Sequence, residues 1–455
     1  MQFLVDLLSQ PSIIAGLVVM VGLIALHKPF TDVIGGMFRA FIGFVVLLAG
    51  TNIIVGSLNN FSKLFMKAFN MHGMIPSNEA AIGVTVAKYG TIATFIFVFG
   101  LVLNIVLARF TKFKYIFLSS DHAFYMACCL TPVMVLGGLN TWESIIFGSM
   151  VLGVILVVFP AIAHPTMKII TGRDDMSFAH FGTLEYWFAA KIGSMVNKDK
   201  KSKSIEDIQF PKSLQFLQDS NVSVMIVMTI LFFVVTAVAG PAYVGKLTDL
   251  NPYVWALLQA AQFAGGIIVL VQGVNMLLAE ITPAFKGFSE KLVPSAIPGY
   301  PFAILFKGTS NALLAGFLVS LLGGLLSMGV QIIIGTTIVI PGIVMHFFCG
   351  GIAAIFGNAT GGRKGALIGP FLGGIILSFL PLVATGLYGT LGYSATYWSD
   401  SDFNTIGVLL GLVAKTGKWP IMIIAALIFV APFIATMFSK NKKVSASAEN
   451  TDTAK

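Results

Sequence analysis

Three histidines stand in otherwise apolar sequence, and they are the first residues that could do chemistry. His122 lies in "SSDHAFYM", His180 in "SFAH" and His346 in "PGIVMHFFCGG". A neutral imidazole donates one hydrogen bond and accepts another, so each ring could bind a hydroxylated ligand or satisfy a backbone carbonyl. A ligand role is favoured for His122, both interpretations stay open for His180, and packing is the simpler explanation for His346.

Two short polar clusters interrupt the apolar sequence elsewhere. The first is Pro76-Ser77-Asn78-Glu79 and the second is Lys307-Gly308-Thr309-Ser310-Asn311. Hydroxyl, amide and carboxylate groups together suit a polyhydroxylated solute, because each of its hydroxyls needs a partner once water is removed. The alternative for Glu79 and Lys307 is an exposed loop charge. The candidate binding residues are therefore His122, His180, Ser77, Asn78, Glu79, Lys307, Thr309, Ser310 and Asn311.

Motifs for catalysis are absent from the sequence. No zinc-ligand spacing, nucleophile elbow or dinucleotide fingerprint occurs, and Cys128, Cys129 and Cys349 have no partner spacing, which favours packing. The glycine-rich stretch "FGNATGGRKGA" (356–366) lacks the phosphate-loop spacing and predicts a tight cytoplasmic turn instead. We therefore expect no catalytic residue, no metal and no cofactor.

Composition places these residues in a membrane. Of 455 residues, 56 % are hydrophobic and only 10 % are charged, against about 25 % charged in a soluble domain. The net charge of +9 does not indicate nucleic-acid binding, because Lys and Arg lie between apolar runs and at the C-terminus rather than in a basic stripe with interleaved aromatics. The sequence predicts an all-α polytopic membrane protein.

Apolar runs of about 20 residues, the length needed to cross a bilayer, occur eleven times. The predicted spans are residues 12–28, 38–58, 89–109, 116–138, 143–163, 222–244, 254–278, 312–334, 336–356, 365–389 and 419–438. Alternating these spans from an outside N-terminus puts most of the 28 Lys and Arg residues in cytoplasmic loops. We expect a bacterial cytoplasmic-membrane location, a retained first span without a cleaved signal peptide, and a cytoplasmic C-terminus.

Three segments depart from simple connections. Residues 164–221 form a long predicted cytoplasmic loop, with an amphipathic, interfacial stretch near Phe178–Met195 and then a charged run from Asn197 that reads as a solvated linker. Residues 279–311 are broken by Pro and Gly yet remain apolar, which favours an amphipathic helix followed by a re-entrant element. The polar tail 441–455 is predicted to be disordered.

The two halves of the chain resemble each other. Gly50–Phe65 matches Gly273–Phe288 without a gap at an offset of 223 residues, and His122 and His346 are related by almost the same offset. A unit of five spans is odd, so its copy must insert upside down. We predict inverted repeats at about 12–163 and 222–389 within one membrane domain, 1–440. Inverted repeats are typical of transporters that hold their substrate near the midplane, where broken elements meet.

Several long blocks of the sequence resemble the ascorbate-specific enzyme IIC permeases of the bacterial phosphotransferase system. They include "SFAH…WFAAKIGSMVNKDKKSKSIEDIQFPKSLQFLQDSNVS", "GVNMLLAEITPAFKGFSEKLVPSAIPG" and "SNALLAGF". The resemblance implies a homodimer in lipid, with a moving core domain and a V-shaped domain at the dimer contact. It also implies a sugar or sugar-acid substrate phosphorylated by a separate IIB protein, which a IIA protein charges. The chemistry of such a transferase complex would reside on the soluble partner.

Only part of the family's binding pattern carries over to this sequence. His122 and His180 match the two family histidines. The family has Asp-Thr-Tyr where this chain has Ser77-Asn78-Glu79, and glutamines where it has Met126 and Phe181; a family acidic residue falls at about Pro301. The resemblance therefore leaves L-ascorbate, a related sugar acid, a pentose and a polyol open as substrates.

An ion-coupled secondary transporter is the alternative function. It would normally need carboxylates deep in the membrane as proton or sodium sites. Asp121, Glu143 and Glu280 are the acids expected near the spans, and all three fall at predicted span ends. This placement disfavours ion coupling.

Overall fold

The chain folds almost entirely into α-helices. The computed structural model describes residues 11–70, 73–199, 201–208, 220–305 and 309–452. Within these ranges seven helices are long and apolar enough to cross a membrane, and residues 224–239 and 401–414 form shorter apolar helices. The predicted all-α polytopic membrane fold is confirmed.

Helices and very short strands alternate along the chain. The helices are α1 Pro11–Ala25, α2 Phe30–Phe69, α3 Asn78–Phe110, α4 Ser120–Leu136, α5 Thr141–Thr171, α6 Thr183–Val196, α7 Ser220–Ala239, α8 Pro241–Val244, α9 Pro252–Leu292, α10 Ser310–Ile334, α11 Ile343–Met345, α12 Gly351–Tyr388, α13 Ser401–Ala414 and α14 Lys418–Asp452. The strands are β1 Gly73–Met74, β2 Tyr115–Phe117, β3 Ser177–Phe178, β4 Ile297–Tyr300 and β5 Ile338–Val339. A π-helical turn, His346–Gly350, joins α11 to α12.

Local sequence explains where individual helices begin. At α5, Asn140 and Glu143 form a capping box, in which the Asn140 side chain accepts from the Glu143 N–H at 3.0 Å and Glu143 accepts from the Asn140 N–H at 2.9 Å. Two orphan N–H groups are thereby satisfied. Glu143 also pairs with Lys418 at 2.8 Å, so this acid stays at the helix end where the sequence places it.

Most predicted spans match a helix, but several details differ. Residues 356–366 are helical with a break at Gly362 rather than a tight turn, because Gly362 alone leaves helical geometry, with φ 56° and ψ −150°. Helix α13 is not predicted by the sequence, because it is too short to register as a span. The segment 279–311 is correctly predicted as broken, although α9 runs unbroken to Leu292 before β4 begins. Finally α14 extends to Asp452, into the tail 441–455, whose predicted disorder stays a prediction.

The two halves contain their helices and first two strands in the same order, although β3 of the first half has no counterpart in the second. In the first half a 40-residue helix, α2, is followed by β1, α3, β2, α4, α5, β3 and the 14-residue α6. In the second half the 41-residue α9 is followed by β4, α10, β5, α11 with the π turn, α12 and the 14-residue α13. The predicted repeat bounds 12–163 and 222–389 omit both short helices.

The short strands pair across the two halves in a crossed, symmetric way. β1 pairs with β5, and β2 pairs with β4, both in parallel. The flanking backbone bonds repeat as well: Leu118 N–H donates to Gly299 at 2.9 Å, and Ile340 N–H donates to Met74 at 3.0 Å. Since β1 corresponds to β4 and β2 to β5, each pair is the symmetry copy of the other. The non-helical segments of both halves therefore meet in the interior.

Helix α6, which is predicted to be an amphipathic interfacial stretch, has one buried face and one exposed face. It packs closely on α12, where a Cβ atom on Gly361 would lie 2.4 Å from the Cα atom of Gly193. Tyr186 and Ala189 on α6 are fully buried, although Trp187 is partly exposed. Glycines on both helices allow this close contact, which the hydrophobic pattern does not reveal, and the interfacial location of α6 stays a prediction.

The charged run that begins at Asn197 is anchored to α12. Arg363 donates from Nε to the Ser204 carbonyl at 3.1 Å, and its backbone N–H donates to the Lys203 carbonyl at 2.8 Å. The Asn358 side chain accepts from the Ile205 N–H at 3.0 Å. The solvated-linker prediction is therefore wrong for the end of this run, although the side chains of Lys198, Lys201 and Lys203 are exposed.

Gly362 is expected to tolerate no side chain. A Cβ atom there would lie 2.6 Å from the carbonyl oxygens of both Ser202 and Lys203, and the backbone is in a region that L-residues rarely adopt. Gly362→Ala should cost about 1–3 kcal/mol and lower the melting temperature of the purified protein in detergent. The matched control is Gly56→Ala in α2, where nothing lies within 4 Å of the added atom. Equal melting temperatures for the two variants would contradict this account.

Candidate functional site

The N-termini of four helices converge where the two halves meet. Asn78, at the start of α3, accepts from the N–H groups of Ser399 and Asp400 at 3.0 and 3.4 Å, just before α13. Asp402 in α13 accepts from the N–H of Leu184 at the start of α6, and His122 places the start of α4 beside them. Helix N-termini carry partial positive charge and unpaired N–H groups, so this junction favours the oxygen atoms of a ligand.

A pair of adjacent histidines lies at this junction, with their ring planes tilted by 43°. The rings of His122 and His180 have centroids 4.1 Å apart, and both side chains are buried. His180 Nδ1 is hydrogen-bonded to the Tyr186 hydroxyl at 2.8 Å, and the His180 carbonyl accepts from the Thr183 hydroxyl at 2.7 Å. His122 Nδ1 has no hydrogen-bond partner among the described residues. His180 is therefore fixed in orientation, while His122 retains a buried, unused hydrogen-bonding atom.

Asp400 joins the histidine pair. One ligand atom from each of His122, His180 and Asp400 lies within 4.8 Å of the others. Asp400 is buried and accepts from the Ser399 hydroxyl at 3.1 Å. Asp400 is not among the residues that the sequence predicts for the site, because it lies in a stretch assigned to an outer loop. The available signal was the apolar run 403–414 directly after "YWSDSD".

Of the first polar cluster, Ser77 and Glu79 line a cavity and Asn78 forms its support. The Ser77 hydroxyl donates to Glu79 Oε2 at 2.8 Å and accepts from the Ala80 N–H at 3.3 Å. Glu79 is half-buried, so the exposed-loop alternative is wrong for it. Ser77, Glu79 and Ser399 line a cavity whose other walls are apolar and include Met228 on α7. The cavity offers polar groups on one side and an apolar surface opposite.

The second polar cluster serves a different purpose in the structure. Lys307 lies outside the described residues, and the side chain of Ser310 is likewise not described. The Thr309 hydroxyl donates to the Leu305 carbonyl. Asn311 is held by Glu206, whose carboxylate accepts from the Asn311 N–H at 3.1 Å and whose carbonyl accepts from the side-chain amide at 3.0 Å. These bonds cap α10 and do not direct Thr309 or Asn311 toward the histidine pair.

His346 lies against α10 rather than in the cluster. Its Nδ1 is hydrogen-bonded to the Ser320 hydroxyl at 2.8 Å, and a Cβ atom on Gly324 would lie 2.6 Å from its Nε2. Packing therefore accounts for this ring, although the sequence repeat relates it to His122.

Carboxylates are buried in this region, contrary to the expectation that acids occur only at span ends. Glu185, Asp400 and Asp402 are all at most 6 % exposed. The Asp402 oxygens accept from the Leu184 N–H at 3.1 and 3.3 Å, whereas both Glu185 oxygens lack a partner among the described residues. Because α6 and α13 bring acids into the interior, the positions of the acids disfavour ion coupling less strongly than the sequence predicts.

Comparison with known proteins identifies the family. Residues 6–402 match the family described as "EIIC-GAT: PTS system sugar-specific permease component". The chain is also 23 % identical over 445 residues to the "Ascorbate-specific PTS system EIIC component" of Mycoplasma pneumoniae, a match that covers 85 % of this chain and 67 % of that protein. The family match, residues 6–402, spans α1 to the start of α13 and so includes the site residues from both halves of the chain. The chain therefore belongs to the EIIC-GAT family of sugar-specific permease components of the phosphotransferase system.

Proposed function

We propose that this permease takes up L-ascorbate or a related sugar acid, pentose or polyol, and that a separate phosphorylated IIB protein phosphorylates the solute. The observation that carries the proposal is the buried junction of His122, His180 and Asp400 beside a cavity lined by Ser77 and Glu79. Hydroxyl-rich solutes need such a density of donors and acceptors once they leave water.

The side chains at the junction have different roles in binding the solute. His122 provides the unused Nδ1, and Glu79 and Asp400 provide carboxylate oxygens that accept hydrogen bonds from solute hydroxyls. Phe181, which stands in place of a family glutamine, stacks on Phe117 with centroids 5.1 Å apart and belongs to the core. The binding surface thus differs from the ascorbate-specific pattern, which supports keeping all four solute classes in the proposal.

We also propose that the protein forms a homodimer in the lipid bilayer. Each chain has its N-terminus outside and its C-terminus in the cytoplasm. In this orientation the anchored segment 201–208, on the loop between α6 and α7, faces the cytoplasm, where the soluble IIB protein must approach. The predicted IIA protein acts upstream by phosphorylating IIB.

Uptake by membrane vesicles tests the proposed coupling. With phosphoenolpyruvate and the soluble partner proteins inside, labelled solute is expected to accumulate only as its phosphorylated product. Vesicles that lack the IIB protein are the matched control and should accumulate no label. Accumulation of unmodified solute in those control vesicles would contradict the proposal.

An ion-coupled transporter is the second candidate function, and the buried acids favour it specifically. Glu185 has no hydrogen-bond partner among the described residues, as expected for a site that binds and releases a proton. Its signature would be accumulation of unmodified solute under an imposed proton gradient. Collapsing the gradient with a protonophore should leave uptake unchanged if phosphorylation drives it.

A further inference from the structure

We propose that an open groove at the end of α2, separate from the histidine junction, binds the anionic group of an acidic sugar before the solute reaches the buried site. The groove has a volume of about 510 Å³ and is lined by Asn59, Lys63, Met66, Lys67 and Tyr243. Pockets of this size hold small organic ligands. None of the described residues that line the groove carries a carboxylate, so every charge on its lining is positive.

The two lysines of the groove are available to an anion. Both are exposed, and no ion pair formed within the described ranges uses Lys63 or Lys67. They lie one turn apart on the same face of α2, where like charges repel each other. The helix dipole accounts for Lys67, which is in the last turn, but Lys63 lies one turn earlier. An anion between the two ammonium groups would remove their repulsion.

Asn59 and Tyr243 add hydrogen-bonding groups to this positive surface. The Lys67 ammonium lies 5.9 Å from the centroid of the Tyr243 ring, a cation–π contact that keeps it beside the phenol. An amide and a phenol can each donate to an oxygen atom or accept from a hydroxyl. The groove therefore offers two cations for a carboxylate or enolate and two neutral groups for the neighbouring hydroxyls of a sugar.

The groove lies on the same helices as the solute cavity. The Gln259 side chain accepts from the Asn60 amide at 3.0 Å, and the Gln259 carbonyl accepts from the Ser57 hydroxyl at 2.9 Å, so α9 is held against α2 beside the groove. Phe263, one turn further along α9, lines the cavity. In the proposed orientation the groove opens to the outside, where Lys and Arg are depleted. The step from groove to cavity rests on the proposed function, whereas anion binding in the groove does not.

A positive groove distinguishes among the four proposed solute classes. L-Ascorbate and sugar acids are anions at neutral pH, whereas pentoses and polyols are uncharged. A charged entrance raises the local concentration and association rate of a solute of opposite sign by about 10- to 1,000-fold, and the effect falls steeply with ionic strength. Neutral solutes gain nothing from it. The inference therefore narrows the substrate to the two acidic classes.

Uptake of labelled L-ascorbate, D-gluconate and D-xylose by phosphorylating vesicles tests the groove. Lys63→Gln combined with Lys67→Gln should raise the half-saturating concentration of the transported acid by about 10-fold at low salt. In 1 M salt, where the Debye length is about 3 Å, this difference should largely disappear. D-Xylose is uncharged, so any uptake of it should be the same with and without the two lysines.

The matched control is Lys415→Gln. Lys415 is exposed, falls on the same predicted face of the membrane and does not line the groove, so its loss should leave the half-saturating concentrations unchanged. Equal values in the double variant and this control, or uptake of D-xylose alone, would overturn the groove and leave the permease proposal standing, because phosphorylated product still accumulates. A lysine effect seen only in vesicles that contain phosphatidylglycerol would assign the groove to lipid headgroups and overturn the proposal as well.

Thiol labelling measures the charge of the groove without any transport. The three native cysteines are buried, so Asn59→Cys provides one exposed thiol in the groove. In the purified protein at low salt, an anionic thiosulfonate reagent should modify this thiol about 10-fold faster when both lysines are present than when both are Gln. A cationic reagent of similar size should show the opposite order. Equal rates for the two reagents in both backgrounds would overturn the groove even if the permease is active.

Discussion

His122→Ala is expected to abolish measurable solute binding while the chain remains folded and oligomeric. The His122 ring is buried, its centroid lies 4.1 Å from that of His180, and its Nδ1 has no partner within the described part of the chain. Removing it leaves the solute hydroxyls without this partner, which costs about 3 kcal/mol and weakens binding about 150-fold. Equilibrium binding of labelled L-ascorbate, pentose and polyol to the purified protein measures the effect and identifies the preferred solute class.

The control for this experiment is another buried histidine outside the junction. His164 is hydrogen-bonded to the Tyr115 hydroxyl at 2.7 Å and lies beside Asp174 at the end of α5. His164→Gln should leave solute affinity within about twofold of the unmodified protein. Both variants should elute from size-exclusion chromatography at the unmodified position. Unchanged affinity in His122→Ala would remove this residue from the binding site.

Apolar length and the polar exceptions within it allow much of the fold to be predicted. Runs such as 89–109 and 143–163 must become helices in lipid, because every backbone group needs an internal partner there. The same logic singles out His122 and His180, since a polar ring in an apolar run is costly without a purpose. The offset of 223 residues between Gly50 and Gly273 likewise indicates the duplication that the crossed strands display.

The remainder depends on contacts that one-dimensional patterns do not contain. Helix α13 has 14 residues, too few for a span, so Asp400 and Asp402 were assigned to a loop. The repeat also predicts matching roles for the starts of α3 and α10, yet the side chains at these two helix starts have different roles. Glu79 lines the cavity, whereas Asn311 is capped by Glu206 from a distant loop. The sequence repeat identifies which backbone segments correspond in the two halves. The loop that carries Glu206 covers the start of α10, however, so this start does not have the role that the start of α3 has.

Asp402→Ala is expected to destabilise the protein and to weaken solute binding together. Asp402 is fully buried, its carboxylate accepts from the Leu184 N–H at the start of α6, and its own N–H donates to the Phe181 carbonyl at 3.2 Å. Asp402 thus links α13 of the second half to the start of α6 of the first half. Losing a cap costs about 0.5–2 kcal/mol, and leaving a buried N–H unpaired costs about 1–3 kcal/mol. The melting temperature in detergent should fall by several degrees.

Solute affinity should fall in the same variant because His180 depends on this joint. The His180 carbonyl accepts from the Thr183 hydroxyl, one residue before Leu184, so loosening the start of α6 moves the imidazole away from His122. Asp402→Asn keeps one acceptor oxygen and should recover most of both losses, whereas Asp32→Ala on the exposed part of α2 should change neither. A lower melting temperature with unchanged solute affinity would show that Asp402 stabilises the fold without positioning His180. The Asp402 carboxylate links the two halves of the chain. If the solute binds at the junction between them, the melting temperature and the solute affinity should therefore fall together.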